Sequence, residues 1–347
     1  NTATGAPDAW MPDITTPYGT PHDVGTLLLD EASDRLYVGG TFAAVNGIER
    51  INLAQFRLSD GQLTDWNPRV GQISSIAHTY GVWALERDYQ SNTLYVGGAF
   101  QSVGGQSRIR LAAIDTVNGL PLPLRVDVTH PWDSGGFTDN VGVSALLFDR
   151  TSNTLHLGLN TALSVGYAPR NGYAAVNVTY GTVLPTNPLA QWPTGAGVYS
   201  MLRDDRNSLL YIGGRFFQSN EPHRTLASID LATGQLTPWT PITTLEYASN
   251  NQIQSMQLDS SSGTLYFGGM FSAVGGLPKS NFAALRVHAP ENSCPADFDA
   301  SGEVAQQDLF TFLSAWFARS MTADFDDNGV VAVPDIFAFL TVWFEGC

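Results

Sequence analysis

The chain has 347 residues, 43% of them hydrophobic, which is enough for one large domain with a full core and one small domain. Its net charge of −15, from 17 basic against 32 acidic residues, argues against nucleic acid or an anionic membrane surface as partner. No stretch approaches a membrane span and no basic signal segment precedes Asn1, so the sequence is expected to be a mature, membrane-free chain.

From Val24 onward one frame occurs five times: an aliphatic residue, a small residue two places on, an Asp six places on, and then a Leu opening an aromatic-aliphatic-Gly-Gly run. It reads Val24, Thr26, Asp30, Leu36-Tyr37-Val38-Gly39-Gly40, and returns with its Leu at Leu94, Leu155, Leu210 and Leu265. A self-similar period of this length marks a solenoid, array or propeller. Within a copy the apolar residues form short runs separated by turn residues, which is a strand pattern. In the first copy the runs are Thr26 to Asp30, Leu36 to Gly40, Leu53 to Phe56 and Gly61 to Trp66. Four hairpin-linked strands make a propeller blade, so the fold class is an all-β five-bladed β-propeller over residues 1–288. The frame's acidic residues, Asp30, Asp88, Asp149, Asp204 and Asp259, are read as turn residues that accept backbone hydrogen bonds.

The fifth copy lacks the closing signature seen as Trp66-Asn67-Pro68 and Trp239-Thr240-Pro241, and Trp10-Met11-Pro12 supplies one at the N-terminus. The N-terminal segment is therefore expected to give the outer strand of the last blade and close the ring, burying two sheet edges.

Catalysis is not expected. A propeller glycosidase needs two carboxylates converging near the axis. The frame's central small positions, Thr26, Ala84, Ala145, Ser200 and Ser255, cannot do acid–base work. Asp23 beside His22 reads as a hydrogen-bonded turn, and no Gly-x-Ser-x-Gly, His-Glu-x-x-His or phosphate loop occurs. Trp132, in the insertion between Pro131 and Phe137, keeps a polysaccharide-binding reading open.

The frame resembles the bacterial propeller repeats rich in Leu-Tyr-Val-Gly-Gly-x-Phe, sometimes called delta-60 repeats. Phe42, Phe100, Phe216 and Phe271 all follow the Gly pair as that pattern requires, whereas the third copy has Gly158-Leu159-Asn160. The resemblance implies a fold and little about activity.

After a short linker, 289–293, the composition changes. Asp297, Asp299, Ser301 and Asp308 stand at positions 1, 3, 5 and 12 of a loop with Gly302 at 6, and Asp324, Asp326, Asn328 and Asp335 repeat the arrangement with Gly329. Oxygen ligands at those positions, a sharp glycine turn and a backbone carbonyl at position 7, here from Glu303 and Val330, suit a seven-coordinate Ca²⁺. Each loop runs into an amphipathic helix, with Leu309, Phe310, Phe312, Leu313, Trp316 and Phe317 in one and Ile336, Phe337, Phe339, Leu340, Trp343 and Phe344 in the other; the stripes are read mainly as core. Cys294 and Cys347 bracket the module and would staple it as a disulfide in an oxidising, extracellular compartment, the alternative being two free thiols or a metal pair. Low Lys and Arg with abundant Gly, Asn, Thr and Ser fits a secreted bacterial protein.

The duplicated loop–helix unit, with Asp at position 12, resembles a type I dockerin, in which positions 10 and 11 touch a cohesin partner. Those positions hold Gln306-Gln307 and Val333-Pro334 here, a departure from the family's Ser-Thr. The expectation is a dockerin-like module, 294–347, holding two Ca²⁺ and docking on a protein. That protein would be another copy of the chain or a surface scaffold.

Overall fold

The computed structural model describes residues 10–16, 23–71, 81–131, 133, 140–192, 195–216, 224–239, 241, 243–244, 251–287, 295–299, 304–325 and 330–345. The chain divides into two compact units, Asn1–Gln257 with Phe267–Ala283, and Leu258–Tyr266 with Ala284–Cys347. The expected linker lies outside the described residues.

Each frame builds an antiparallel sheet. In the first repeat a lead strand, Asp23–Asp30, pairs with a middle strand, Arg35–Thr41, which pairs with a third strand, Leu53–Arg57. The second repeat follows with Gly81–Asp88, Thr93–Ala99 and Leu111–Asp115, and the fourth with Gly197–Asp204, Leu209–Phe216 and Arg224–Asp230. The fifth has the same order in Gln252–Asp259, Thr264–Met270 and Phe282–Arg286. In the third, the middle strand Thr154–Val165 runs on for 12 residues, where Leu159 replaces the second glycine.

The frame's spacing encodes a β-bulge. Val24 pairs with Gly40 and Thr26 with Gly39, leaving Gly25 as the extra residue, and the second, third and fourth repeats shift at the same place. The bulge drives a carbonyl towards the second glycine of the pair: a Cβ on Gly40 would lie 2.1 Å from the Asp23 oxygen. The first glycine serves a different contact, since a Cβ on Gly39 would lie 2.6 Å from Val82 Cγ1 of the next repeat. The Gly-Gly pair therefore fixes both the bulge and the packing of successive repeats.

Cores lie between repeats. Tyr37 and Leu53 cluster with Val82 and Leu85, and Tyr95 and Leu111 with Val143 and Leu146. Each fully buried Val or Leu there contributes roughly 1.5–3 kcal/mol. The frame's Asp residues sit at the hairpin turns as expected: Asp30 accepts the Ser33 N–H, and Asp88 accepts from Gln90 N–H and Ser91 Oγ. They also take an Arg from the following repeat, in the pairs Arg87–Asp30, Arg150–Asp88 and Arg203–Asp149.

One expectation is corrected. The fourth run is not a full strand in the first repeat: it reduces to a single bridge, Phe56 to Leu63, and the second and fourth repeats have the same single bridge. The chain leaves early because its Trp docks on the next repeat, where Trp66 Nε1 donates to the Asp115 carbonyl at 3.0 Å. A two-residue strand after the Trp then adds to a small hairpin of that next repeat: Val70–Gly71 pairs with Ser102–Val103, and Thr243–Thr244 with Ala273–Val274. The N-terminal segment obeys the same rule. Trp10 Nε1 donates to the Gly61 carbonyl at 2.7 Å, and Ile14–Thr15 pairs with Ala44–Val45, so this segment stands to the first repeat as Trp66 and Val70–Gly71 stand to the second. The rest of the ring-closing expectation falls on residues 1–9, outside the described residues.

Two buried groups give opposing pH dependences. Burial pushes the Glu86 carboxyl up to about 7, against a hydrogen bond from the Phe148 N–H that favours its charge. Burial pushes His156 down to about 4, with Asp149 opposing and Arg203 assisting. Folded Glu86 holds its proton where the unfolded chain has lost it, so its contribution is lost as pH rises from 4.5 to about 7. His156 resists protonation, so its contribution is lost as pH falls from 6.5 to about 4. Glu86→Gln is expected to stabilise the fold at neutral pH and to expose the His156 slope in urea titrations across this range. An unchanged pH profile would exonerate Glu86.

Candidate metal centre

The C-terminal module builds a small core of its own. Helix α1, Gln306–Phe317, and helix α2, Val333–Glu345, carry apolar residues at helical spacing. Pro334 falls in the first turn of α2, where its missing N–H costs nothing. Phe312 and Phe339 stack at 4.2 Å with 2° between their planes. Phe298 and Phe325, each second in its acidic loop, close against the stack edge-on. The helices are cross-braced: Trp316 Nε1 donates to the Ala332 carbonyl, and Trp343 Nε1 to the Ala305 carbonyl. Each Trp thus holds the loop that feeds the other helix.

The stripes are only partly core. Phe312 and Phe339 are fully buried, whereas Phe310, Phe317, Phe337 and Phe344 are 60, 75, 66 and 76% exposed. The exposed four fall in equivalent pairs, Phe310 with Phe337 and Phe317 with Phe344, as the duplication requires.

The structure brings Asp297, Asp299 and Asp308 together, with one carboxylate oxygen from each inside a 4.8 Å cluster. Asp308 is buried and anchored. Its Oδ1 accepts the Asp299 N–H at 3.0 Å and its Oδ2 the Ala305 N–H at 2.8 Å. Burial opposes its charge, but these backbone donors outweigh burial and hold its pKa below the usual carboxylate range. Asp335 repeats the arrangement, accepting from the Phe325 and Ala332 N–H groups, both at 2.7 Å. Position 12 therefore also caps its helix, a role the spacing alone did not reveal; the signal was an acid three residues past the N-cap.

Asp324 and Val330 are among the described residues, whereas Ser301, Glu303, Asp326, Asn328 and both cysteines, Cys294 and Cys347, lie outside them. The residues present fit Ca²⁺: the clustered donors are all carboxylate oxygens, the ligand type a hard cation takes. A bound divalent cation would offset two of the three adjacent negative charges and tie the loop's start to the first turn of α1.

In the first lead strand, Asp23 Oδ1 accepts the Thr41 N–H at 3.1 Å, a bond across the paired strands rather than within a turn. His22 lies outside the described residues, and among those residues no helix is long and apolar enough to cross a membrane.

Strand order, bulged lead strands and the recurrent Gly-Gly frame define a repeat protein of the β-propeller type. A family described as "Domain of unknown function (DUF5122) beta-propeller" matches residues 31–63, from the first hairpin turn to the bridge at Leu63. Among solved structures, the chain is similar to the Myceliophteria thermophila Cps50 (Swd1) β-propeller domain, at 14% identity and TM-score 0.39, over 76% of this chain and 67% of that one. It is similar to the extracellular domain of the putative one component system BT4673 from B. thetaiotaomicron at 14% identity and TM-score 0.41, over 77% and 33%. It is also similar to the dihydro-heme d1 dehydrogenase NirN in complex with DHE at 11% identity and TM-score 0.41, over 76% and 47%. The chain thus spans a third of the second structure and about half of the third. No curated protein matches it.

Proposed function

We propose that this chain is an extracellular, non-catalytic structural or interaction protein. Its propeller blades, five by the count of sequence frames, are joined to a dockerin-like module that calcium orders and that docks on another protein surface. The observation that carries the reading is the set of four exposed Phe residues on the small module. Four such large apolar side chains on so small a module are more than scattered surface residues ordinarily supply. The acidic loops support the calcium dependence, and their ligand type suits extracellular modules with affinities on the order of 10⁻⁴–10⁻³ M. A Cys294–Cys347 staple would suit the same compartment.

The full chain is expected to associate in millimolar calcium, with itself or with a scaffold protein, and to lose that association in EGTA. The double variant Asp297→Ala, Asp324→Ala should abolish the calcium-dependent association while leaving the propeller's circular dichroism unchanged. Phe310→Ser with Phe337→Ser should do the same while retaining calcium uptake. Association that ignores chelation and both variants would sink the reading.

A further inference from the structure

Where the chain crosses from one repeat to the next, one side chain is set four residues before a two-residue strand. Trp66 holds that place before Val70–Gly71, Trp239 before Thr243–Thr244 and Trp10 before Ile14–Thr15. The indole meets the turn of the repeat it enters: a Cβ on Gly61 would lie 2.4 Å from Trp10 Cδ1, and one on Gly119 3.5 Å from Trp66 Nε1. It also packs edge-on against the frame's Tyr in the repeat it leaves, Trp66 on Tyr37 at 5.5 Å and Trp239 on Tyr211 at 5.0 Å. An indole thus fills the space between a Tyr and the next repeat's turn.

Between the second and third repeats that indole is missing. Leu124 stands four residues before Val128–Thr129, beside Tyr95 and the turn Tyr180-Gly181. Among the described residues, a Cβ on Gly181 would meet nothing nearer than the Arg125 carbonyl at 3.8 Å and Leu124 Cδ1 at 3.9 Å, the widest gap of the four equivalent turn glycines. The next junction also lacks the Trp, but there the turn closes in, since a Cβ on Gly234 would lie 2.3 Å from Thr186 Cγ2.

A cleft of about 410 Å³ opens at the wide gap, and every residue lining it is among the described ones. Small-molecule sites span about 300–1,000 Å³. Tyr95, Leu122, Leu124 and Val178 give it an apolar, aromatic wall. Tyr180 lies at its edge, 78% exposed, where the turns of the other repeats carry Asp60, Asn118 and Thr233. Arg125 is the one charged residue in the lining.

We propose that this cleft binds a small planar aromatic acid of indole size. The ring takes the place that Trp66 and Trp239 take at their junctions, with its edge or face on Tyr95 and with Tyr180 covering it. The carboxylate meets the Arg125 guanidinium in a charge-assisted hydrogen bond. The site lies wholly within the propeller repeats and goes beyond the calcium-dependent docking reading, which it does not use.

Calorimetric titration of the full chain with indole-3-acetate, in EGTA, tests it apart from calcium docking. A single site saturating below about 1 mM is expected. Leu124→Trp restores the frame's own indole, so it should abolish binding and raise the melting temperature. Tyr180→Ala changes an exposed turn residue and should weaken binding roughly 3–10-fold, which keeps the test decisive if the Trp variant fails to fold. Arg125→Gln should weaken indole-3-acetate while leaving indole itself unaffected. A wild type that shows no saturable binding of indole-3-acetate in the millimolar range overturns the proposal. So does binding that survives Leu124→Trp or Tyr180→Ala unchanged.

Discussion

Replacing Arg110 by Met is expected to lower the unfolding free energy by about 3 kcal/mol, the lower end of the cost of breaking a buried ion pair, because the Asp133 left behind is partly exposed and keeps the His130 N–H. Arg110 has no solvent exposure. Its guanidinium holds Asp133 by two bonds of 2.8 and 2.9 Å and donates to the Val128 and Val141 carbonyls at 2.9 and 2.8 Å. It therefore ties the strand after the second repeat's closing turn to the chain that enters the third. The backbone there is left-handed, with φ of 61°. In the first repeat Asn52, at φ 61°, takes this position and donates to the Val70 carbonyl, the counterpart of Val128. Asn is at ease in that conformation, so Arg110→Asn should recover the carbonyl bond and cost measurably less than Arg110→Met. Urea denaturation followed by circular dichroism reads both. A Met variant within 1 kcal/mol of wild type, or an Asn variant no better than Met, would defeat the account.

Arg110 also shows what the sequence hid. The period was legible because four of the five frames place a glycine where a Cβ would lie 1.9–2.1 Å from a backbone carbonyl oxygen, Gly40, Gly98, Gly214 and Gly269, while the third carries Leu159 there. The Asp residues were legible as turn residues because their hydrogen bonds are local. The small hairpin Ala44–Val45 with Ile48–Glu49 was missed. Strands of two residues carry no alternation, although Asn46-Gly47, with φ of 52° and 74°, is a strong hairpin turn signal. The handover of each Trp to the following repeat was illegible for a different reason. Trp66 lies directly after the third strand's partner run, and only long-range packing against Asp115 carries it away. The junction ion pairs escaped similarly, since the Arg comes from beside the next Asp in some repeats and after it in another.

In the C-terminal module the loop ligands were legible because metal coordination fixes residue type at fixed spacing. The partition of the helix stripes was not. Phe310 and Phe312 are both apolar and two residues apart, so composition cannot say which faces the stack; the duplication, pairing Phe312 with Phe339, decides it.

The second large effect is expected at the second glycine of the pair. Gly98→Ala would place a Cβ 2.1 Å from the Gly81 carbonyl oxygen and 3.1 Å from the Gly81 carbonyl carbon. A flexible side chain could swing aside, but a backbone carbonyl inside a sheet cannot. Relief must come from separating Gly81–Asp88 from Thr93–Ala99 at the bulge, between Val82, which packs on the first repeat, and Ala84. Overpacking of a tight core costs about 1–3 kcal/mol when side chains can adjust; with backbone on both sides the loss should reach about 3 kcal/mol or exceed it. Gly268→Ala is the internal control, because its Cβ would make an ordinary contact at 3.6 Å and should leave monomer stability within roughly 0.5 kcal/mol of wild type. Both numbers come from the same urea titration of the full chain. Equal losses at 98 and 268 would mean that the bulged carbonyl yields, and that the Gly-Gly frame is maintained by something other than the clash. A large loss at 98 alone would locate the cause in the bulge, and Gly40→Ala and Gly214→Ala, with backbone oxygens at 2.1 and 1.9 Å, should then behave alike.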